Sequence, residues 1–181
     1  IITKLANGSE SNNSDGTWVV VFTSGLNNTG PGYLYVVDAN TGVVIRKIQT
    51  KDPSNTVVGT SATPANLGEI NAWVDNVNNN TAQRIYGGDM LGNLWRFDIS
   101  GLVEPNYASL QLAKFQISSG SPVTTTPQPI STRPELANVK YGSNRYPVIL
   151  VGTGRYLGST DITNTTQQSM YAIKDPLTNT S

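Results

Sequence analysis

With no histidine and no cysteine among its 181 residues, the groups left to do chemistry in this chain are carboxylates, hydroxyls, amides, indoles and the cationic side chains of lysine and arginine. That removes most nucleophile triads, thiol chemistry and most zinc sites. A carboxylate pair is the acid–base system still open, and Asp89 and Asp98, flanking one strand pattern, are the pair best placed for it. Each also stands where the chain is expected to turn, three residues before Gly92 or Gly101, and an aspartate there accepts backbone N–H bonds. Both are read as turn residues, and no catalytic residue is assigned. The stretch Gly152-Thr153-Gly154-Arg155-Tyr156-Leu157-Gly158 has the glycine content of a phosphate loop. It follows one strand pattern and leads to another, however, with no helix N-terminus to hold an anion. Its glycines are read as permitting a tight turn.

Trp18, Trp73 and Trp95 offer rings that can stack on a sugar or a quinone. Trp95 lies mid-strand, where packing between sheets is the expected role. A quinoprotein-type propeller oxidoreductase is therefore the enzymatic alternative. It needs a closed ring, a quinone platform and metal-binding carboxylates, and the sequence supplies none of these convincingly. No cofactor is assigned from these residues.

Twelve basic and twelve acidic residues cancel, and no basic cluster exceeds Arg46-Lys47. Nucleic acid and anionic lipid are disfavoured as partners. The longest apolar run, Trp18-Val19-Val20-Val21-Phe22, is far too short to span a bilayer. Low charge with abundant Asn, Thr, Ser and Gly resembles secreted β-proteins, and any export signal is expected upstream. Asn-x-Ser/Thr triplets at Asn7, Asn12, Asn27, Asn79, Asn164 and Asn179 are expected by chance in so Asn- and Thr-rich a chain.

The elements that must position these residues repeat. Leu34-Tyr35-Val36-Val37-Asp38 aligns with Leu94-Trp95-Arg96-Phe97-Asp98 at an offset of 60, and Leu94 aligns with Met170 at an offset of 76. A second landmark, Thr60-Ser61-Ala62-Thr63-Pro64, aligns with Ile130-Ser131-Thr132-Arg133-Pro134 at an offset of 70 and is read as the start of an innermost strand. Repetition at this spacing implies a radial all-β architecture, the β-propeller. In residues 33–37, Tyr33, Tyr35 and Val37 share one face and Leu34 and Val36 the other, so both faces are expected to pack between neighbouring blades.

The expected organisation is a single partial propeller domain over residues 1–181, of about three consecutive four-stranded antiparallel blades. Blade one covers about 1–50, with strands near 1–5, 18–23, 32–38 and 43–49. Blade two covers about 60–118, with an inner strand near 61–67, then 84–88, 93–99 and 110–117. Blade three covers about 130–175, with strands near 132–139, 147–152 and 168–173. Residues 102–109 are expected to form a helical turn or edge loop, and residues 118–129 an inter-blade crossing. Three blades fall short of the four to eight or so that close a ring, so the chain is expected to be a fragment of a larger one.

Three motifs stand in one order: Tyr86-Gly87-Gly88-Asp89 through Leu94-Trp95-Arg96-Phe97-Asp98, then Gln128-Pro129-Ile130-Ser131-Thr132-Arg133-Pro134, then Val151-Gly152-Thr153-Gly154-Arg155-Tyr156-Leu157-Gly158. On these the chain resembles the C-terminal propeller of PilY/PilC-type type IV pilus proteins across most of residues 18–175. The resemblance implies a non-enzymatic, tip-associated pilus biogenesis factor and adhesin, pilus-associated, secreted or at the outer membrane and cell surface of a Gram-negative bacterium. It implies support of pilus extension against retraction, surface attachment and surface sensing. The implied partners are pilus components, a host or abiotic surface, and the protein's own N-terminal domain. Structural support for an adhesive N-terminal domain is the non-enzymatic alternative. Exposed loops at residues 27–31, 75–83 and 159–167 are expected to carry recognition, as loops on rigid scaffolds do.

The resemblance also implies a calcium loop just before the second-blade hairpin, with oxygen ligands at its first, third, fifth and ninth positions. Counting from Asp75 puts Val77 third, Asn79 fifth and Gln83 ninth, which leaves one carboxylate and one apolar position. Calcium takes about six to eight hard oxygens. The stretch is read as an Asn-rich surface turn, with Asp75, Asn79 and Gln83 as the degenerate calcium candidates.

Overall fold

The computed structural model describes residues 1–6, 16–26, 29–78 and 80–178, with Asp75 and Asn76 described by backbone alone. β1 (Ile2–Leu5), β2 (Trp18–Thr23), β3 (Tyr33–Asp38) and β4 (Val44–Gln49) pair antiparallel in chain order. β5 (Ile70–Asn76), β6 (Thr81–Gly88), β7 (Asn93–Asp98) and β8 (Ser109–Lys114) repeat that order. A short parallel pairing of Lys4 with Thr81 and Leu5 with Ala82 joins the two groups into one curled sheet. β9 (Gln116–Ser119) and β10 (Thr124–Pro127) form a separate two-stranded ribbon. β11 (Glu135–Tyr141), β12 (Asn144–Gly152) and β13 (Met170–Lys174) form the third group, which has three strands among the described residues instead of four.

Strand pairing gives the repeat a register. Asp38 opposes Val19, Asp98 opposes Arg84, and Lys174 opposes Val148. In each case the next residue's N–H donates to the carbonyl just before that partner: Ala39 to Trp18, Ile99 to Gln83, Asp175 to Pro147. The offsets of 60 and 76 are therefore those of the strands themselves. The match at 70 is not. With Arg84 equivalent to Val148, their inner partners Trp73 and Ala137 are equivalent, an offset of 64.

Residues 61–67 are accordingly not an inner strand, which begins only at Ile70. Pro64 has no N–H to give to a ladder. The segment instead crosses between groups: Ala65 N–H donates to Gly30 O at 3.0 Å, and Ala65 O accepts Met90 N–H at 2.9 Å. The crossing near Ile130 does the same one group on, where Ile130 N–H donates to Asp89 O and Gly154 N–H donates to Pro129 O. Gly88 is required there, since a Cβ at that position would lie 2.2 Å from Ile130 Cγ2. Two further expectations change: the strand over 110–117 breaks at the buried Phe115, and residues 118–129 hold much of the β9–β10 ribbon. Of the two forms expected for residues 102–109, residues 102–108 take the loop, as bends and turns, and Ser109 opens β8.

Two cores separate the three groups. The first joins Val19, Val21, Leu34, Val36 and Ile48 to Ile70, Ile85, Trp95, Phe97 and Ile99. The second joins Tyr86, Leu94, Leu110 and Leu112 to Ile149 and Val151, with Phe115 and Ile130 between. The middle group is thus covered on both faces, and every residue of β7 is buried. The outer groups each have one open face. On the first, Ile2, Trp18 and Phe22 are exposed and Tyr33, Tyr35 and Val37 half-buried; on the third, Val139 and Met170 are exposed. Packing on both faces, expected for β3, therefore holds only for its Leu34 and Val36 side, because no described sheet lies beyond the tyrosines. There Phe22 stacks on Tyr35 at 5.3 Å, and the Lys47 ammonium sits 4.2 Å from the Tyr33 ring centre.

Candidate functional site

Asp89 closes the β6–β7 turn from inside. One carboxylate oxygen accepts the Leu91 and Asn93 N–H groups at 2.9 Å each, and the other accepts Asn93 Nδ2 and Trp95 Nε1 at 2.8 Å each. Burial pushes its carboxyl above the usual carboxylate range, and the Asn93, Trp95 and Leu91 donors pull it partly back. Asp98 likewise accepts the Ser100, Gly101 and Tyr107 N–H groups. The two sequence candidates for acid–base work are thus both occupied as turn residues.

A polar network crosses from the middle group to the third. The Arg96 guanidinium pairs with Asp175, both fully buried, and also donates to the Glu104 and Thr178 carbonyls. Tyr86 OH donates to the other Asp175 oxygen at 2.5 Å and accepts Arg84 Nε at 2.8 Å. The Arg84 guanidinium in turn lies 4.6 Å from the Trp73 ring centre. Burial raises the Tyr86 phenol far above its ordinary value, which favours the protonated hydroxyl that donates to Asp175. The sequence reading missed this set; its signal was one arginine inside each of two successive strands, Arg84 before Ile85 and Arg96 between Trp95 and Phe97.

The surface loops divide. In the loop of residues 155–168, Asp161 accepts Leu157 and Gly158 N–H at 2.9 and 3.2 Å and pairs with Arg155 at 2.7 Å. These donors, Leu157 N–H foremost, hold its carboxyl below the usual range against partial burial. A Ser159–Asp161 3-10 turn results, and it leaves Tyr156, Leu157 and Ile162 exposed. Residues 27 and 28 of the first recognition loop lie outside the described residues.

So does Asn79 of the calcium candidates, and the Asp75 side chain is not described. Gln83 is in β6, and its carbonyl accepts Ile99 N–H. Val77, at the third ligand position, is 78 % exposed, and the Asn80 carbonyl is taken by Thr3 Oγ1 at 2.6 Å and Lys4 N–H at 2.9 Å. Such a donor set does not match the several carboxylates calcium asks for.

Three sheet groups packed face to face, joined by crossing segments and closed by aspartate turns, define a β-propeller scaffold. The PilY1 beta-propeller domain family matches residues 4–180, and the chain belongs to that family. A type IV pilus biogenesis factor PilY1 homolog of Xylella fastidiosa is 29 % identical over 174 residues, covering 89 % of this chain and 11 % of the relative. A second homolog from that organism is 32 % identical over 163 residues, covering 90 % and 12 %. The type IV pilus biogenesis factor PilY1 of Pseudomonas aeruginosa strain UCBPP-PA14 is 29 % identical over 182 residues, covering 88 % and 15 %. The chain thus spans only 11–15 % of these relatives' length. The crystal structure of the Pseudomonas aeruginosa PilY1 C-terminal domain aligns with a TM-score of 0.68 at 25 % identity, over 97 % of this chain and 36 % of that one.

Proposed function

We propose that this chain is a segment of the propeller of a type IV pilus biogenesis factor at the cell envelope or surface, acting by presenting loops from a rigid scaffold and not by catalysis. The family match across residues 4–180 carries this reading. Attachment to a host or abiotic surface, support of pilus extension, and contact with pilus components and the parent's N-terminal part belong to the same proposal. The loop of residues 155–168 supports it, since Asp161 fixes a backbone that leaves Tyr156, Leu157 and Ile162 facing solvent. Among the described residues, no helix is long and apolar enough to cross a membrane. Deletion of the propeller from the parent protein, scoring surface pili separately from attachment per pilus, tests the reading. Loss of either supports it; normal piliation together with normal attachment would refute it.

A further inference from the structure

Successive sheet groups leave a cleft at the inner end of each interface, and the two clefts differ in chemistry. The first, of about 490 Å³, is lined by Ile1, Val21, Phe22, Leu26 and Ile70, with Glu69 and Arg133 at its rim. The second, of about 410 Å³, is bounded by Asn71, Trp73, Glu135, Leu136 and Asn138. Packing alone is served by the apolar lining of the first. It does not account for the two amides and the carboxylate of the second, which surround an indole packed on its inner side against the second core.

The indole is held in place. Arg84 lies over the Trp73 ring, is bound at Nε by Tyr86 OH, and Tyr86 is anchored on Asp175. On the rim, Asn71 Nδ2 donates across the interface to Pro134 O at 2.9 Å, which fixes the spacing of the two walls. The exposed Asn138 amide has no hydrogen-bond partner among the described residues, and the Glu135 carboxylate is exposed beside Arg133. A part-exposed aromatic surface suits the C–H face of a sugar ring, and amide and carboxylate groups around it suit hydroxyls. The volume falls in the usual range of small-ligand sites, about 300–1,000 Å³. A rigid indole also lowers the ordering cost of binding.

We propose that the cleft between β5 and β11 binds a neutral saccharide unit. This adds a ligand class to the attachment reading and depends on that reading only for the use made of the site in the cell. The test is saturation-transfer NMR and calorimetric titration of the full parent protein with cellobiose and N,N′-diacetylchitobiose. At least one is expected to bind with a dissociation constant of about 1 mM, the weak end of specific binding. Asn138→Ala removes an amide with no partner among the described residues and should weaken binding about three- to tenfold, the worth of one hydrogen bond. Trp73→Leu should abolish it, and Trp18→Leu, on the open face of the first group, should leave it unchanged. The proposal falls if neither sugar transfers saturation to folded protein, or if Asn138→Ala binds as the parent does; the latter decides even should Trp73→Leu not fold. Sugar binding in a parent whose propeller is dispensable for piliation and attachment would leave the cleft assigned and sink only the attachment reading.

Discussion

Arg96 and Asp175 invite a substitution that the protein itself suggests. By strand register Arg96 is equivalent to Val36, and Asp175 to Ile99, both of which belong to the first core. Asp175→Ile alone would leave the Arg96 guanidinium buried with only the Glu104 and Thr178 carbonyls, and Tyr86 OH without its acceptor. Breaking a buried pair from one side costs about 3–5 kcal/mol. Against a typical domain stability of about 5–15 kcal/mol this is a large loss. The double variant Arg96→Val/Asp175→Ile restores the chemistry found one interface earlier, and such replacements are often neutral or stabilising by about 1–4 kcal/mol. Urea denaturation of the two single variants, the double and the parent propeller should therefore give a coupling energy above about 2 kcal/mol, well beyond the additivity error of independent sites. Hydrogen exchange should show β12 and β13 opening first in Asp175→Ile, since that carboxylate ties the third group to the middle one. A single-variant loss below about 1 kcal/mol, or a double variant as unstable as the sum of the singles, would refute the reasoning.

Because the Asp161 carboxyl is held below its ordinary value, its contribution is present above the unfolded value of about 3.9 and is lost as pH falls through the folded one. Amide protection at Leu157 and Gly158 should fall in acid, and Asp161→Asn should remove that dependence; protection that is flat in the parent chain would contradict the assignment. For the calcium candidates, calorimetric titration with calcium should give the same heat for the parent and for Asp75→Ala. A heat present only in the parent would establish Asp75 as a ligand.

Much of the strand plan was legible because its signals are local. Val19 and Val21 alternate with exposed or half-buried neighbours, Asp38 and Asp98 announce their turns, and the β2, β3 and β7 boundaries fall within a residue or so of the pattern. What was illegible lies between groups. The landmark around Pro64 looks like a strand start, yet its backbone bonds go to two different turns sixty residues apart, Gly30 and Met90, which no periodicity encodes. Phe115 breaks an apparently continuous strand because it is drawn into the second core, where it stacks on Tyr171 at 4.1 Å. The calcium candidates rest on ligand positions that the family resemblance implies, and such positions do not reveal which carbonyls a neighbouring strand claims; Thr3 and Lys4 claim that of Asn80.

The same register explains how one repeated sheet yields two different interfaces. Sheet one presents Val19, Val21 and Val36 toward sheet two, and at the equivalent places sheet two presents Arg84, Tyr86 and Arg96 toward sheet three. Sheet three answers with Asp175, one residue past the position where Asp38 and Asp98 make their turns. In a strand, a shift of one residue moves a side chain to the opposite face. A carboxylate that faces its own turn in two groups therefore reaches inward in the third, where the arginine is. It still accepts Leu177 N–H, so the turn function is kept while the interface tie is added. The arginine and tyrosine of sheet two and the one-residue shift of the carboxylate in sheet three together convert an apolar seam into an ionic one, and the polar cleft beside Trp73 sits at the end of that seam.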